Sequence, residues 1–104
     1  MTTTFNDRER AFEAKFAADA EAEFKVAARA VKLLGAWAGA LLGKTGPELD
    51  AYVAEVILAD FEEAGVEDVL RKVSADLAGK ADEATVRAKL GELTIEARQH
   101  LAQG

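Results

Sequence analysis

The chain has 104 residues, a formal net charge of −6 at pH 7 and no cysteine. This length predicts one small domain, and the absence of thiols excludes disulfides, thiolate metal sites and a cysteine nucleophile. The negative charge argues against binding to nucleic acid, because phosphates would repel the protein. The sequence shows neither a signal-peptide pattern nor a run of about 20 apolar residues, so we expect a cytoplasmic protein that does not insert into a membrane.

The first helix-prone stretch, residues 4–42, becomes more apolar from Phe24 onward. It contains no proline and no glycine before Gly35. Its alanine, glutamate, lysine and arginine favour helix because they lose little side-chain entropy on coiling. From Phe24 onward a dense apolar face predicts a core, and we expect Trp37 to anchor it. The members of this face are Phe24, Val26, Ala27, Ala30, Val31, Leu34, Trp37, Ala38 and Leu41.

The residues before Phe24 carry fewer large apolar side chains. Phe5, Phe12 and Phe16 recur at spacings of seven and four, which places them on one face of a helix. Asn6 or Asp7 is the expected N-cap of this helix. Charged residues cover the remainder, so the segment cannot build a core of its own. A segment that is helical by propensity but not needed by the core is a candidate partner-binding element.

Glycines and the turn after them mark the end of the first helix. Gly35, Gly39 and Gly43 are spaced by four. Because this span is too short and too charged at its edges for a membrane, the spacing indicates close approach by a second helix. Gly43 also fits a left-handed helix C-cap, and Thr45 and Pro47 suit the start of the next helix.

Three further helices are predicted, over residues 47–63, 66–78 and from Asp82, which caps the last one, to the C-terminal region. Gly79 is the expected stop of the third helix. Their apolar stripes are Leu49, Tyr52, Val53, Val56, Ile57 and Phe61; Val66, Val69, Leu70, Val73 and Leu77; and Val86, Leu90, Leu93, Ala97 and Leu101. No useful alternation of period two indicates a strand, so the short loops predict an all-α, small four-helix bundle.

No set of side chains predicts catalysis. His100 is the only histidine, and its position near a helix C-terminus favours a surface role over a metal site. Ser74 is the only serine, and no base is evident beside it. Paired carboxylates at 62–63, 67–68 and 82–83 lie near predicted helix ends, where solvation, capping and dipole effects explain them. We therefore expect neither an enzyme nor a metal protein.

Five segments follow one another in a distinctive order. They are DRERAFEAKF at 7–16, FK at 24–25, KLLGAWA at 32–38, LLGKTG at 41–46 and ADFEE at 59–63. Together they closely resemble the zeta subunit of alphaproteobacterial F-type ATP synthases, a small ATPase inhibitor. Any one segment is weak evidence, but their order and spacing are highly specific. The resemblance runs from Phe5 to about Lys72 and more loosely to the C-terminus.

The resemblance implies an inhibitory segment, residues 1–19, that is mobile in the free protein, followed by a four-helix bundle, residues 20–104. In the family, the segment becomes an ordered helix in a catalytic interface between the alpha and beta subunits of the synthase head, against the rotor gamma subunit. There it blocks rotation in the ATP-hydrolysing direction. The expected partner-binding residues are Phe5, Asp7, Arg8, Glu9, Arg10, Phe12, Glu13, Lys15 and Phe16. The protein would then lie in the cytoplasm, peripheral to the inner membrane through the synthase.

Two alternatives remain open at this level. The first is a helical module that binds an adenine nucleotide as a regulatory signal near Lys44, Thr45 or Trp37. A true phosphate-binding loop is not expected there, because Ala38 stands where the motif needs a glycine and no strand precedes it. The second alternative is an adaptor that binds the synthase but leaves hydrolysis unchanged.

Overall fold

The computed structural model describes the backbone of residues 2–62 and 66–103 and the side chains of residues 21–61 and 66–102. Its four helices are α1 (Thr2–Leu41), α2 (Gly46–Glu62), α3 (Glu67–Asp76) and α4 (Glu83–Gln103). No strand occurs in this backbone, so the predicted all-α four-helix class is confirmed. Helix α1 contacts the other three, whereas α2 and α4 each contact α1 and α3 but not each other. No helix in the described part of the chain is both long and apolar enough to cross a membrane.

The first helix begins earlier than predicted. It starts at Thr2, so Asn6 and Asp7 lie inside the helix, and the prediction that one of them is its N-cap is wrong. Residues 2–5 contain neither glycine nor proline. Adding a residue to an existing helix is far easier than starting a new one, so the helix continues through residues 2–5. The predicted mobility of residues 1–19 stays a prediction.

Helices α1 and α2 approach closely at two glycines. A Cβ on Gly35 would lie 3.2 Å from Cα of Val53, and a Cβ on Gly39 would overlap the side chain of Leu49. The close approach predicted from the glycine spacing is therefore confirmed at these two positions. Gly43 has a different function, because its φ of 79° is left-handed and it lies just past the end of α1. It forms the predicted C-cap.

All four helices contribute to one buried core. Its largest fully buried side chains include Leu34 from α1, Val56 from α2, Leu70 from α3 and Val86 from α4. The other buried hydrophobic residues are Val26, Ala30, Val31, Ala38, Tyr52, Ala59, Val69, Val73, Leu77, Leu90, Leu93 and Ala97. Burying one side chain of valine or leucine size contributes about 1.5–3 kcal/mol. The helical stripes read from the sequence therefore supply most of the packing that holds the bundle together.

Several residues of the predicted stripes lie at the surface instead, and for these the prediction is wrong. They are Phe24, Ala27, Leu41, Phe61 and Leu101. Phe24 is 65 % exposed and Phe61 is 69 % exposed. Each is two positions from a buried residue, Val26 and Ala59 respectively, and residues two apart on a helix do not share a face. The two leucines lie in the last turns of their helices, where fewer neighbours can cover them.

Trp37 lies beside the core and not at its centre. Its side chain is half-buried and packs against the core cluster, while the Nζ of Lys89 lies 5.8 Å from its ring centroid. Leu34 and Ala38 fill the interior on either side of it in the sequence. The expectation that Trp37 anchors the core is therefore corrected to a supporting contact at the rim.

The turn between α3 and α4 follows the sequence signals in part. The backbone N–H of Thr85 donates to Oδ1 of Asp82 at 2.8 Å, which confirms Asp82 as the N-cap of α4. Hydrogen bonds from the side chain and the backbone of Thr85 hold the pKa of Asp82 below its usual range. Helix α3 ends at Asp76, three residues before the predicted stop at Gly79, and Gly79 lies in the following turn with a left-handed φ of 85°. The cap at Asp82 requires little from the core, which is why local sequence predicted it.

Candidate partner-binding helix and the neighbouring groove

The predicted partner-binding residues all lie on one helix. Phe5, Asp7, Arg8, Glu9, Arg10, Phe12, Glu13, Lys15 and Phe16 belong to the N-terminal part of α1. The side chains of all nine lie outside the described residues. Their positions on a continuous helix place Phe5, Phe12 and Phe16 on one face, as the spacing predicts.

Residues 21–26 of α1 lead from an exposed stretch into the core. Residues 21–25 are exposed, and Val26 is the first buried residue among those described. Two exposed ion pairs occur here: Lys25 Nζ to Glu21 Oε1 at 3.4 Å and Arg98 Nη2 to Glu23 Oε2 at 2.7 Å. Such exposed pairs contribute little stability, but the second joins α1 to α4. This ion pair therefore connects α1 to α4 at Glu23.

A groove between α1 and α2 opens beside this junction. It has a cavity volume of about 340 Å³ and apolar walls. It is lined by Phe24, Ala27, Ala28, Arg29, Val31, Lys32, Ile57, Asp60 and Phe61. We call it the α1–α2 groove. Phe24 and Phe61 are the two most exposed large apolar side chains among those described on these helices. Both line the groove, so the two phenylalanines that were wrongly predicted to lie in the core contribute to one surface.

Opposite charges flank the α1–α2 groove. Lys32 lies on α1 and Asp60 lies on α2, and neither forms an ion pair with any residue whose side chain is described. Burial raises the pKa of the Asp60 carboxyl, because a partly desolvated carboxylate is less stable than one in water. The groove therefore combines an apolar surface with two cations, Arg29 and Lys32, on the α1 side and one anion, Asp60, on the α2 side.

The residues proposed for a nucleotide site do not converge. A shallow cleft contains Lys44 with Leu42, Tyr52, Glu55 and Asp76, but neither Thr45 nor Trp37 lines it. Its two carboxylates disfavour a phosphate group, since like charges repel. Thr45 lies just before α2.

Polar side chains beside the cleft at Lys44 connect α2 to α3. The hydroxyl of Tyr52 on α2 donates to Oδ2 of Asp76 on α3 at 2.9 Å, and Nζ of Lys72 donates to the same oxygen at 3.1 Å. Burial and the bond to Asp76 raise the pKa of Tyr52. Burial lowers the pKa of Lys72, but Asp76 and Glu55 raise it by more. Lys72 pairs with both Glu55 and Asp76, so this cluster stabilises the packing of α2 on α3.

His100 and the carboxylates of Glu67 and Glu83 make side-chain contacts in the described part of the chain. There, no three histidine, aspartate or glutamate side chains are placed to hold a metal ion. His100 accepts a hydrogen bond from Nε of Arg29 at 3.3 Å, and its Nε2 lies 3.6 Å from Glu96. Arg87 contacts both Glu67 and Glu83 at 3.2 Å. These groups therefore tie helices together at the surface.

A sequence model of the ATPase inhibitor subunit zeta family matches residues 1–100. The chain belongs to this family. A structure solved by solution NMR is similar to it, with 54 % sequence identity and a TM-score of 0.70. That similarity covers 78 % of this chain and 95 % of the other. No curated protein sequence matches the chain. The zeta-subunit resemblance carried by the five sequence segments is confirmed.

Sequence reasoning missed the α1–α2 groove of this zeta-family protein. The signal was present in the spacing, because Phe24 and Phe61 cannot share a face with residues two positions away that pack in the core. What no local pattern reveals is that the two phenylalanines, one on each helix, line the same cavity. That requires knowing how α1 and α2 are paired.

Proposed function

We propose that this zeta-family protein inhibits ATP hydrolysis by the bacterial F-type ATP synthase, and that residues 1–19 carry the inhibition. The segment enters a catalytic interface between the alpha and beta subunits of the synthase head, next to the rotor gamma subunit, and blocks rotation in the hydrolysing direction. The observation that carries the proposal is the family match, which extends over residues 1–100 and so includes the whole segment. Binding to the synthase would place the protein at the cytoplasmic side of the inner membrane.

The beginning of the core supports a division of the chain near residue 20. The first buried residue among those described is Val26, so the described core of the bundle begins downstream of the segment. A helix rises about 1.5 Å per residue, so 18 residues span roughly 27 Å. That length can reach deep into a cleft while residues 20–104 remain outside it. We propose that the bundle presents the segment and that the segment inhibits.

Two phenylalanines are the proposed anchors. Phe12 and Phe16 are one helical turn apart on one face, so a single apolar cleft can receive both rings. Burying each ring contributes roughly 1.5–3 kcal/mol. At about 1.4 kcal/mol per decade, losing both would weaken binding by roughly two to four decades. The charged residues between them set the register of the segment against the partner.

The experiment is a dose–response of ATP hydrolysis by the isolated synthase head against wild type and Phe12→Ala/Phe16→Ala. The matched control is Leu58→Ala/Ile95→Ala, which removes two bundle side chains that are 61 % and 59 % exposed. We expect the control to inhibit as wild type does and the phenylalanine variant to require at least about a hundredfold more protein. Circular dichroism of all three proteins checks that the bundle has remained folded.

Two results would oppose the proposal in different ways. Equal inhibition by wild type and the phenylalanine variant would exclude these rings as anchors. Saturable binding of wild type to the head with unchanged hydrolysis would mean that the protein is an adaptor and not an inhibitor.

A further inference from the structure

The α1–α2 groove is continuous with the proposed inhibitory segment. Helix α1 runs unbroken from Thr2 to Leu41, and Phe12, Phe16, Ala20 and Phe24 follow at intervals of four. Residues four apart are neighbours on a helix, so these positions form one ridge. The step from Phe16 to Phe24 is roughly 12 Å at about 1.5 Å per residue. A partner that holds Phe16 therefore comes within reach of the groove.

On the basis of the proposed function, we infer that the α1–α2 groove is a second docking surface for the synthase head. Its occupant is an amphipathic surface segment of the head, at the mouth of the cleft that receives residues 1–19. This segment presents an apolar side chain to the groove, an acidic group towards Lys32 and a basic group towards Asp60. The inhibitory segment and the groove then form one continuous interface along α1.

The exposure of the two aromatic rings supports a protein partner. Phe24 and Phe61 are 65 % and 69 % exposed, and both line a cavity of about 340 Å³. Val31 and Ile57 add to the apolar lining of the same groove. Neighbouring exposed aromatics in a groove are typical of the anchors that dominate protein interfaces, where a helix can lay its apolar face between them.

The charges at the groove define the chemistry of the occupant. Lys32 and Asp60 lie on opposite helices and have no ion-pair partner among the described side chains. Asp60 is partly desolvated before anything binds, so a cation placed beside it would meet a carboxylate that water stabilises poorly. An amphipathic segment with one acid and one base on its flanks complements both groups and fixes its own direction in the groove.

The first test compares two substitutions on α2. Phe61→Ala removes a ring from the groove, whereas Leu58→Ala removes a side chain of similar exposure, 61 % against 69 %, from the cleft on the α3 side. Both substitutions lie outside residues 1–19, so the inhibitory segment keeps its sequence. In the hydrolysis assay with the synthase head, we expect Phe61→Ala to raise the half-inhibitory concentration about tenfold and Leu58→Ala to leave it within about twofold.

A second variant keeps the test decisive if Phe61→Ala loses helical content. Asp60→Asn keeps the shape of the side chain and removes its charge. We expect it to weaken inhibition several-fold and to reduce the dependence of the half-inhibitory concentration on salt, because one ion pair with the partner is lost. Inhibition identical to wild type at every salt concentration would overturn the charged part of the inference.

Cross-linking locates the contact directly. The chain has no cysteine, so a single cysteine at Ala28, in the groove, or at Ala88, exposed on α4, can carry a photoreactive group. We expect Ala28→Cys, and not Ala88→Cys, to cross-link to an alpha or beta subunit of the head, and an excess of unlabelled wild type to suppress the product. Cross-linking to a second copy of the chain would overturn the inference in favour of self-association.

The outcomes separate this inference from the proposed function. Wild type that inhibits, together with equal inhibition by Phe61→Ala and Leu58→Ala and no subunit cross-link from position 28, would exclude the groove and leave the inhibitory segment intact as a proposal. Wild type that does not inhibit at all would exclude both.

Discussion

Substituting alanine at two glycines should affect stability differently, and the structure explains why. Gly91 lies within α4, and a Cβ built on it meets nothing within 4 Å. Alanine lowers the backbone entropy of the unfolded chain, and its Cβ would clash with nothing in the folded state. Gly91→Ala should therefore stabilise the protein by about 1 kcal/mol. At Gly35 the new Cβ would lie 3.2 Å from Cα of Val53, a backbone atom that cannot rotate away.

The net effect at Gly35 follows from two opposing terms. Alanine again contributes about 1 kcal/mol through helix propensity. Separating α1 from α2 disturbs a packed interface, and overpacking of this kind costs about 1–3 kcal/mol. Gly35→Ala should therefore be neutral or destabilising by up to about 2 kcal/mol, leaving it about 1–3 kcal/mol less stable than Gly91→Ala.

Denaturant unfolding followed by circular dichroism measures this difference, and thermal melting checks it, since 1 kcal/mol corresponds to about 4–8 °C in a domain of this size. The reasoning would be refuted if Gly35→Ala stabilised the protein as much as Gly91→Ala does. That result would mean that α1 and α2 are not in close contact at this position.

Further predictions concern the bundle. A chain lacking residues 1–19 should melt cooperatively, close to the temperature of the full chain, because the described core begins at Val26; loss of a cooperative transition would place the segment in the core. Trp37→Ala should lower the free energy of unfolding by about 2 kcal/mol, less than for a fully buried indole, without changing inhibition. Asp60→Asn should raise the melting temperature at pH 7. Burial raises the pKa of Asp60 in the folded state, so its ionisation opposes folding, and the advantage should disappear below the usual aspartate pKa.

The sequence predicted the parts of the fold that depend on local chemistry. Asp82 was identified as a cap because a carboxylate at that position can accept the backbone N–H of Thr85, which needs no other helix. The stripe of α4 was correct over Val86, Leu90 and Leu93 for a similar reason, since the spacing fixes which side chains share a face.

The parts that were wrong depend on how helices pair. The sequence places Phe24 and Phe61 in the core because each belongs to a dense apolar stretch. Such a stretch contains more hydrophobic residues than one helix face can bury. Only the orientation of α1 and α2 decides which are left outside, and the same orientation brings these two rings to one groove. Of the candidate site, the sequence therefore predicted a partner-binding helix but not the surface beside it.

The claim that residues 1–19 carry the inhibition has one direct test. ATP hydrolysis by an isolated alphaproteobacterial synthase head is measured against increasing concentrations of the full chain and of a chain that begins at residue 20. We expect the full chain to inhibit with saturation and the shortened chain, still folded by circular dichroism, to lose that inhibition by at least two decades in concentration, as estimated for the two phenylalanine anchors. Equal inhibition by the two proteins would contradict the account, because the bundle alone would then be the inhibitor.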